Sequence, residues 1–344
     1  MTPTIAVDAN GADLGPREVA EGAIAAAATG VHVRLFGPAG EIGDVPDGVE
    51  VVDAPVSIAK APDPVSAVRS TPEASIVQAA RAVGAGEADA LVSAGSTGAA
   101  LAAGLFNIKR AKGVYRPALA APMPVPDHPV MLIDVGANAE VRPDHLVQFA
   151  FMGASVVRLL DGIERPRVGL MSNGEEASRG TQLVRQAHEL LVARTAGSTA
   201  LEFIGNVEGM DVTSGRADVI VMDGFTGNVT LKVMEGVSQR VLAAIRDRAM
   251  ASTRAKAGGL LMRPALGGLR DSMDPEGAGG AYLLGLRRLG IVPHGRFSRR
   301  GFATAIRLAA RAVSDDLVGR THADLEAAGA LRGPASEATT TVSA

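Results

Sequence analysis

Cysteine is absent from all 344 residues, and so is tryptophan. The first absence excludes disulfides, thiolate metal sites and every cysteine-nucleophile mechanism. It fits a reducing, cytoplasmic compartment. Aromatic residues make up only 3%, so the core must be built largely from Ala, Val and Leu. No apolar run is long enough to span a bilayer. The start, "MTPTIAVDAN", enters a strand-like run without a basic region or a long apolar segment, so no secretory signal is expected. There is no long basic tract and the formal net charge is -3, which gives no reason to expect nucleic acid as a partner.

Several named motifs are also missing. Neither G-x-x-x-x-G-K-[ST] nor G-x-G-x-x-G occurs, so ATP and NAD sites of those types are unsupported. Ser96, in Ala-Gly-Ser-Thr-Gly, is a near miss for the elbow of serine hydrolases. The six histidines show no H-E-x-x-H spacing, and no metal is expected. His294, in "GIVPHGRFS", follows an apolar run and precedes a glycine, which suits either a structural or a catalytic histidine.

What is present is a recurring pattern: an apolar run, a polar glycine-rich corner, then a helix-like segment. The corners carry Asp8 and Asn10; Ser93, Gly95, Ser96 and Thr97; Asp134 and Asn138; Glu175; Asn206 and Glu208; and Asp223. Short apolar runs bounded by turn residues read as buried strands. Residues 73–83 and 182–193 show helical spacing. The alternation predicts an α/β fold, a Rossmann-like parallel sheet with helices on both faces and any antiparallel strand at an edge. Ligands of such sheets bind beyond the carboxyl ends of the strands, so the corners should line one cleft. Residues 56–75 read as a loop or lid around a short helix. Residues 1–332 read as one two-lobed domain, and 333–344 as a disordered tail. After Asp223, Thr226 or Asn228 can cap the next helix. The "SAGSTG" corner (93–98) can bind an oxyanion through backbone N–H groups and hydroxyls, or simply pack a tight turn.

The segments "AVDANGADLGP", "LVSAGSTGA", "IDVGAN", "NGEEASRG", "FIGNVEG", "DVIVMDGFTGNVTLKVMEG" and "GGAYLLGL…HG" occur in this order. Together they resemble the bacterial acyl-carrier-protein:phosphate acyltransferase family, PlsX, from about Ile5 to Ala310. The resemblance implies a fold akin to phosphotransacetylases and isocitrate-dehydrogenase-type enzymes, a homodimer and no cofactor. It implies transfer of a fatty acyl group from acyl carrier protein to inorganic phosphate, for phospholipid synthesis. Phosphate is then the nucleophile, and the protein must hold it beside a thioester and stabilise an oxyanion. Asn138, Asn206 and Asn228 are the expected amide donors. Lys232 lies one helical turn beyond Asn228, as a catalytic cation or as a solvated partner of Glu235. His294 could assist the leaving thiolate. Asp8, Glu175, Glu208 and Asp223 are expected mainly to orient neighbours. The alternatives are a phosphotransacetylase-like reaction on acyl-CoA, and an altered paralogue acting as a scaffold.

The chain departs from the family pattern at Ser96, where Asn is usual, at Ser172–Asn173, at Arg179, where Lys is usual, at Val292–Pro293, and at Asn10–Gly11–Ala12. Residues 229–273 read as a protruding helical hairpin, in which Leu260, Leu261, Met262, Leu266 and Leu269 alternate with Arg254, Lys256, Arg263 and Arg270. Such a hairpin suits peripheral contact with the inner face of the membrane, or a dimer interface. Acidic acyl carrier protein should meet basic surface, either here or at Arg287, Arg288, Arg296, Arg299 and Arg300.

Overall fold

The apolar runs form strands that stop where glycine and small polar residues begin. The computed structural model describes residues 2–126, 128–272 and 274–333, so the expected tail lies, apart from Gly333, outside the described residues. The first half contains β1 (Thr4–Asp8), α1 (Pro16–Ala27), β2 (His32–Gly37), α2 (Ala39–Ile42) and β3 (Val49–Asp53). Next come α3 (Pro64–Ser70), α4 (Ser75–Ala85), β4 (Ala90–Ser93) and α5 (Thr97–Ala103). The middle carries β5 (Ala118–Met123), β6 (Val130–Ile133), α6 (Pro143–Asp161), β7 (Arg167–Met171), α7 (Gln182–Thr195), β8 (Glu202–Val207) and β9 (Val219–Val221). The chain closes with α8 (Gly224–Met250), α9 (Thr253–Ser272), β10 (Ala281–Leu284), β11 (Gly290–Val292), α10 (Arg299–Ser314) and α11 (Leu317–Ala327).

The eleven strands of the described residues join one sheet, in the order β3-β2-β1-β4-β11-β10-β5-β6-β9-β7-β8. The alternation along β1 shows why both faces are covered. Ile5 and Val7 belong to the core beneath α1 and α10, whereas Ala6 belongs to the core beneath α4 and α5. A third apolar cluster, with Leu119, Ala121 and Leu132 from the sheet and Leu231 and Met234 from α8, sits under the start of the hairpin. No helix among the described residues is long and apolar enough to cross a membrane.

The strand directions correct one expectation. The antiparallel strands lie in the middle of the sheet, not at its edge. β10 runs antiparallel to both β11 and β5, and β5 runs antiparallel to β6. Three reversals separate β11 from β6. The block β3-β2-β1-β4-β11 is therefore parallel within itself, and so is β6-β9-β7-β8, but the two blocks run in opposite senses. Their carboxyl ends emerge at opposite edges of the sheet. All six polar corners cannot line one cleft.

Candidate active site

Two glycines explain how the segment after Asp223 is built. Asp223 is itself the N-cap of α8: Oδ1 accepts the Thr226 N–H at 2.9 Å and Oδ2 accepts the Thr226 hydroxyl at 2.7 Å. Neither Thr226 nor Asn228 is the cap. Gly224 and Gly227, on one helical face, then press the first turn of α8 against residues 134–138. The Gly224 N–H donates to the Asn138 carbonyl at 2.7 Å, and a Cβ on Gly227 would stand 1.8 Å from the Asp134 carbonyl oxygen.

The 134–138 corner is rigid because Asp134 is saturated with donors. Its carboxylate accepts N–H bonds from Leu119, Gly136, Ala137 and Asn138 and a side-chain bond from Asn138. Burial pushes this carboxyl up, while those donors pull the other way. Asn138 gives its remaining amide proton to the Pro117 carbonyl at 2.7 Å. Its amide donors therefore hold the corner and are not free for a substrate.

With α8 fixed in this way, one face of its first three turns walls a cavity of about 580 Å³. Asn228, Lys232 and Glu235 come from α8; Thr97 comes from the start of α5; His294 comes from just beyond β11. Leu119, Ala121 and Pro122 of β5, Leu231 of α8 and Ala281 of β10 supply apolar wall. The cavity thus lies across the antiparallel centre of the sheet, where the two opposed blocks meet. Lys232 is exposed and shows no ion pair among the described residues, Glu235 included. The Nδ1 atom of His294 accepts the Arg296 backbone N–H at 3.2 Å, so the neutral ring carries its proton on Nε2.

The other sequence candidates fall elsewhere. Asp8, Asn10 and Ser93 form a buried cluster behind Thr97 to which the half-buried Gly95 is bonded, and Ser96 is the N-cap of α5, accepting the Ala99 N–H at 3.3 Å. Asn206 lies on β8 in the outer part of the second block and is 1% exposed. Its amide donates to the Glu176 carbonyl at 2.9 Å and its oxygen meets His188 Nδ1 at 3.0 Å. Glu175 pairs with Arg216 at 2.6 Å, and Glu208 begins a short helical turn closed by Asp211. None of Asn206, Glu175, Glu208, Asn138 and Asp223 lines the cavity. Asn206→Ala is expected to destabilise by about 1–2 kcal/mol, because it orphans the Glu176 carbonyl and His188. Turnover per folded molecule should be unchanged, as read by urea unfolding beside an activity assay. Sequence reading missed the β5 and β10 walls. "ALAAPM" is short and its only signal was position between longer runs, while "AYLL" lay inside the "GGAYLLGL" segment that carried the resemblance but was given no site role.

This fold is shared with phosphotransacetylases of known structure. EutD phosphotransacetylase from Staphylococcus aureus superposes with a TM-score of 0.59 at 18% identity, covering 90% of this chain and 94% of that one. A phosphotransacetylase from Streptococcus pyogenes gives 0.59 at 16% identity, covering 91% and 94%. At such identities the likeness concerns the fold alone. The family described as "Fatty acid synthesis protein" matches residues 3–320, and the chain belongs to it. A "Phosphate acyltransferase" of Nitratidesulfovibrio vulgaris is 41% identical over 314 residues, 89% of this chain and 90% of that protein. One of Syntrophotalea carbinolica is 43% identical over 220 residues, 64% of this chain. The matched stretch spans 62% of the S. carbinolica protein and 60% of an Elusimicrobium minutum relative of the same name.

Proposed function

We propose that this chain transfers a fatty acyl group from acyl carrier protein to inorganic phosphate, giving an acyl phosphate for phospholipid synthesis. The observation that carries the reading is the cavity where Asn228, Lys232, His294 and Thr97 stand beside an apolar wall. The polar end suits a phosphate and a thioester carbonyl, and the apolar wall suits the alkyl chain. Membership of the family and the 41% identical relative named phosphate acyltransferase support it.

In this reading an oxygen of hydrogen phosphate attacks the thioester carbon. A C–O bond forms and the C–S bond breaks. The phosphate's own proton ends on the departing sulphur, so the balance needs no other reactant. Lys232 offsets the phosphate charge, Asn228 gives an amide N–H, and His294 offers its Nε2–H to the charge that develops. Positioning supplies the rest of the rate. The test is purified protein with long-chain acyl carrier protein, phosphate and hydroxylamine. Hydroxamate and free carrier should appear. Turnover with acyl-CoA alone would favour the phosphotransacetylase-like reaction, and carrier binding without turnover would favour a scaffold.

The carrier's docking face is proposed to be the α8–α9 hairpin. Arg288, Arg296, Arg299 and Arg300 are already matched by Asp89, Asp13, Glu18 and Asp274. Residues 224–272 instead hold eight basic residues against three acidic ones. Arg240, Arg246, Arg248, Arg254 and Lys256 are exposed, and none forms an ion pair among the described residues. Such a face steers an acidic partner.

Val229, Val233, Val237, Val241 and Ile245 form an i, i+4 stripe along α8, between 45% and 56% exposed. An unpaired stripe of this length needs a cover. We assign it to a second copy of the chain in a homodimer, and the exposed Leu260, Leu261 and Met262 of α9 to the membrane surface. Val237→Asp is expected to shift sedimentation from dimer to monomer, while Leu261→Asp lowers binding to anionic vesicles without dissociating the dimer. A dimer that survives Val237→Asp would remove the stripe from the interface.

A further inference from the structure

Behind Thr97 lies a carboxylate that cannot touch the cavity yet is wired to two of its walls. Asp8 ends β1 and is 1% exposed. Its side chain falls on the α4 face of the sheet, the face of Ala6 rather than of Val7. Oδ1 accepts the Ser75 hydroxyl at 2.6 Å and the Asn10 N–H at 3.2 Å. Oδ2 accepts the Ser93 hydroxyl at 2.8 Å. Ser93 Oγ in turn accepts the Gly95 N–H at 3.1 Å, closing the corner from which α5 starts. Two residues further on, Thr97 reaches the cavity.

The second connection runs through the loop after Asp8. The Asn10 amide donates to the Ala54 carbonyl and to Ser75 Oγ, tying the loop down at 2.9 and 3.2 Å. A Cβ on Gly11 would stand 2.9 Å from the Gly95 Cα, so the loop lies directly against the Thr97 corner. The Asp13 N–H then donates to the Gly295 carbonyl at 2.8 Å, next to His294.

We propose that Asp8 is a positioning residue: through Ser93 it fixes the corner that presents Thr97, and through the 10–13 loop it braces the turn that carries His294. A hydroxyl that donates to a carboxylate is held in one rotamer, with its lone pairs fixed to accept the Gly95 N–H. Protonating Asp8 replaces one accepted bond by a donor and releases that constraint.

Burial pushes the Asp8 carboxyl up to about 6, against the pull of Ser75, Ser93 and Asn10. Among the described residues its hydrogen-bond partners are all uncharged. On the elements around it, Arg34 of β2 binds Glu50 and Glu87, Asp53 of β3 binds the Ala39 N–H, and Arg81 of α4 binds the Pro72 carbonyl. Asp63 caps α3, Lys60 and Glu73 are exposed, and on the opposite face Glu18 of α1 pairs with Arg299 of α10. The carboxyl therefore titrates against neutral partners.

The kinetic arm of the test rests on the acyl-transfer reading; a second arm does not. Asp8→Asn keeps the shape and removes the charge. It is expected to raise the KM for phosphate about tenfold at pH 7.5, as small misplacements at a site do, with no fall in Tm. The ratio of variant to wild-type kcat/KM should climb toward one as pH falls through about 6, where wild-type Asp8 takes up its own proton. Taking the ratio cancels the ionisation of phosphate itself. Ser93→Ala should reproduce the loss, and Ser93→Thr should restore part of it. Independently of turnover, the protection of amides 93–99, taken as exchange relative to the intrinsic rate at the same pH, should fall in Asp8→Asn and in the wild type below pH 6. A merely structural carboxylate would lower Tm and leave the ratio flat, which would overturn the proposal, as would unchanged protection in 93–99. If the wild type shows no acyl transfer, the functional reading falls and the exchange arm alone decides the role of Asp8.

Discussion

Lys232→Ala is expected to lower kcat/KM for phosphate by about 100- to 1000-fold, the usual cost of losing one stabiliser of a developing oxyanion. That range corresponds to about 3–4 kcal/mol of transition-state stabilisation. Lys232 is exposed and makes no ion pair among the described residues, so its removal should change stability by no more than about 0.5 kcal/mol. The two readouts must therefore separate. A lysine that merely decorated the surface would leave both unchanged, whereas one that held α8 in place would move both. Lys232→Arg should recover little, because a planar guanidinium does not place charge where an ammonium did. Wild-type kcat/KM in Lys232→Ala would detach the cation from the chemistry and leave Asn228 and His294 as the remaining polar groups named in the mechanism.

The reason Lys232 and Asn228 share the cavity wall expected of them, while Asn206 lies outside it, is physical. Asn228 and Lys232 are four apart on a helix, so local geometry guarantees a shared face. Asn206 and Asn138 are amides after apolar runs, which is all that a sequence displays. Whether such an amide faces a substrate or a neighbouring carbonyl depends on partners far along the chain, here Glu176 and Pro117. Asp8 shows the same limit. Its hydroxyl donors, Ser75 and Ser93, lie 67 and 85 residues away. The strands and their helices were legible because burial imposes periodicity. Their relative direction was not, because it turned on β10 and β11, runs of four and three residues with no periodicity to read. Those short strands decide the site: they reverse the second block and bring α8 over the same central strands that α5 and His294 approach.

Gly227→Ala is expected to be the most damaging single methyl group in the molecule's active half. In an exposed helix interior the same change would stabilise by about 1 kcal/mol through helix propensity. Here the new Cβ would lie 1.8 Å from the Asp134 carbonyl oxygen and 2.8 Å from its carbon. The obstacle is backbone, and it cannot step aside, because the Asp134 carboxylate is bonded to four surrounding N–H groups. The helix must yield, carrying Asn228 and Lys232 away from Thr97 and His294. The expected loss is about 3 kcal/mol or more in urea unfolding, the upper end of overpacking costs. Turnover should collapse even at low temperature, where the variant stays folded. Gly236→Ala is the control, since its Cβ would meet nothing within 4 Å on the same helix. It should gain about 0.5–1 kcal/mol and keep full activity. Equal stability of the two variants would mean that α8 does not rest on the 134–138 corner, and the cavity built from that contact would go with it.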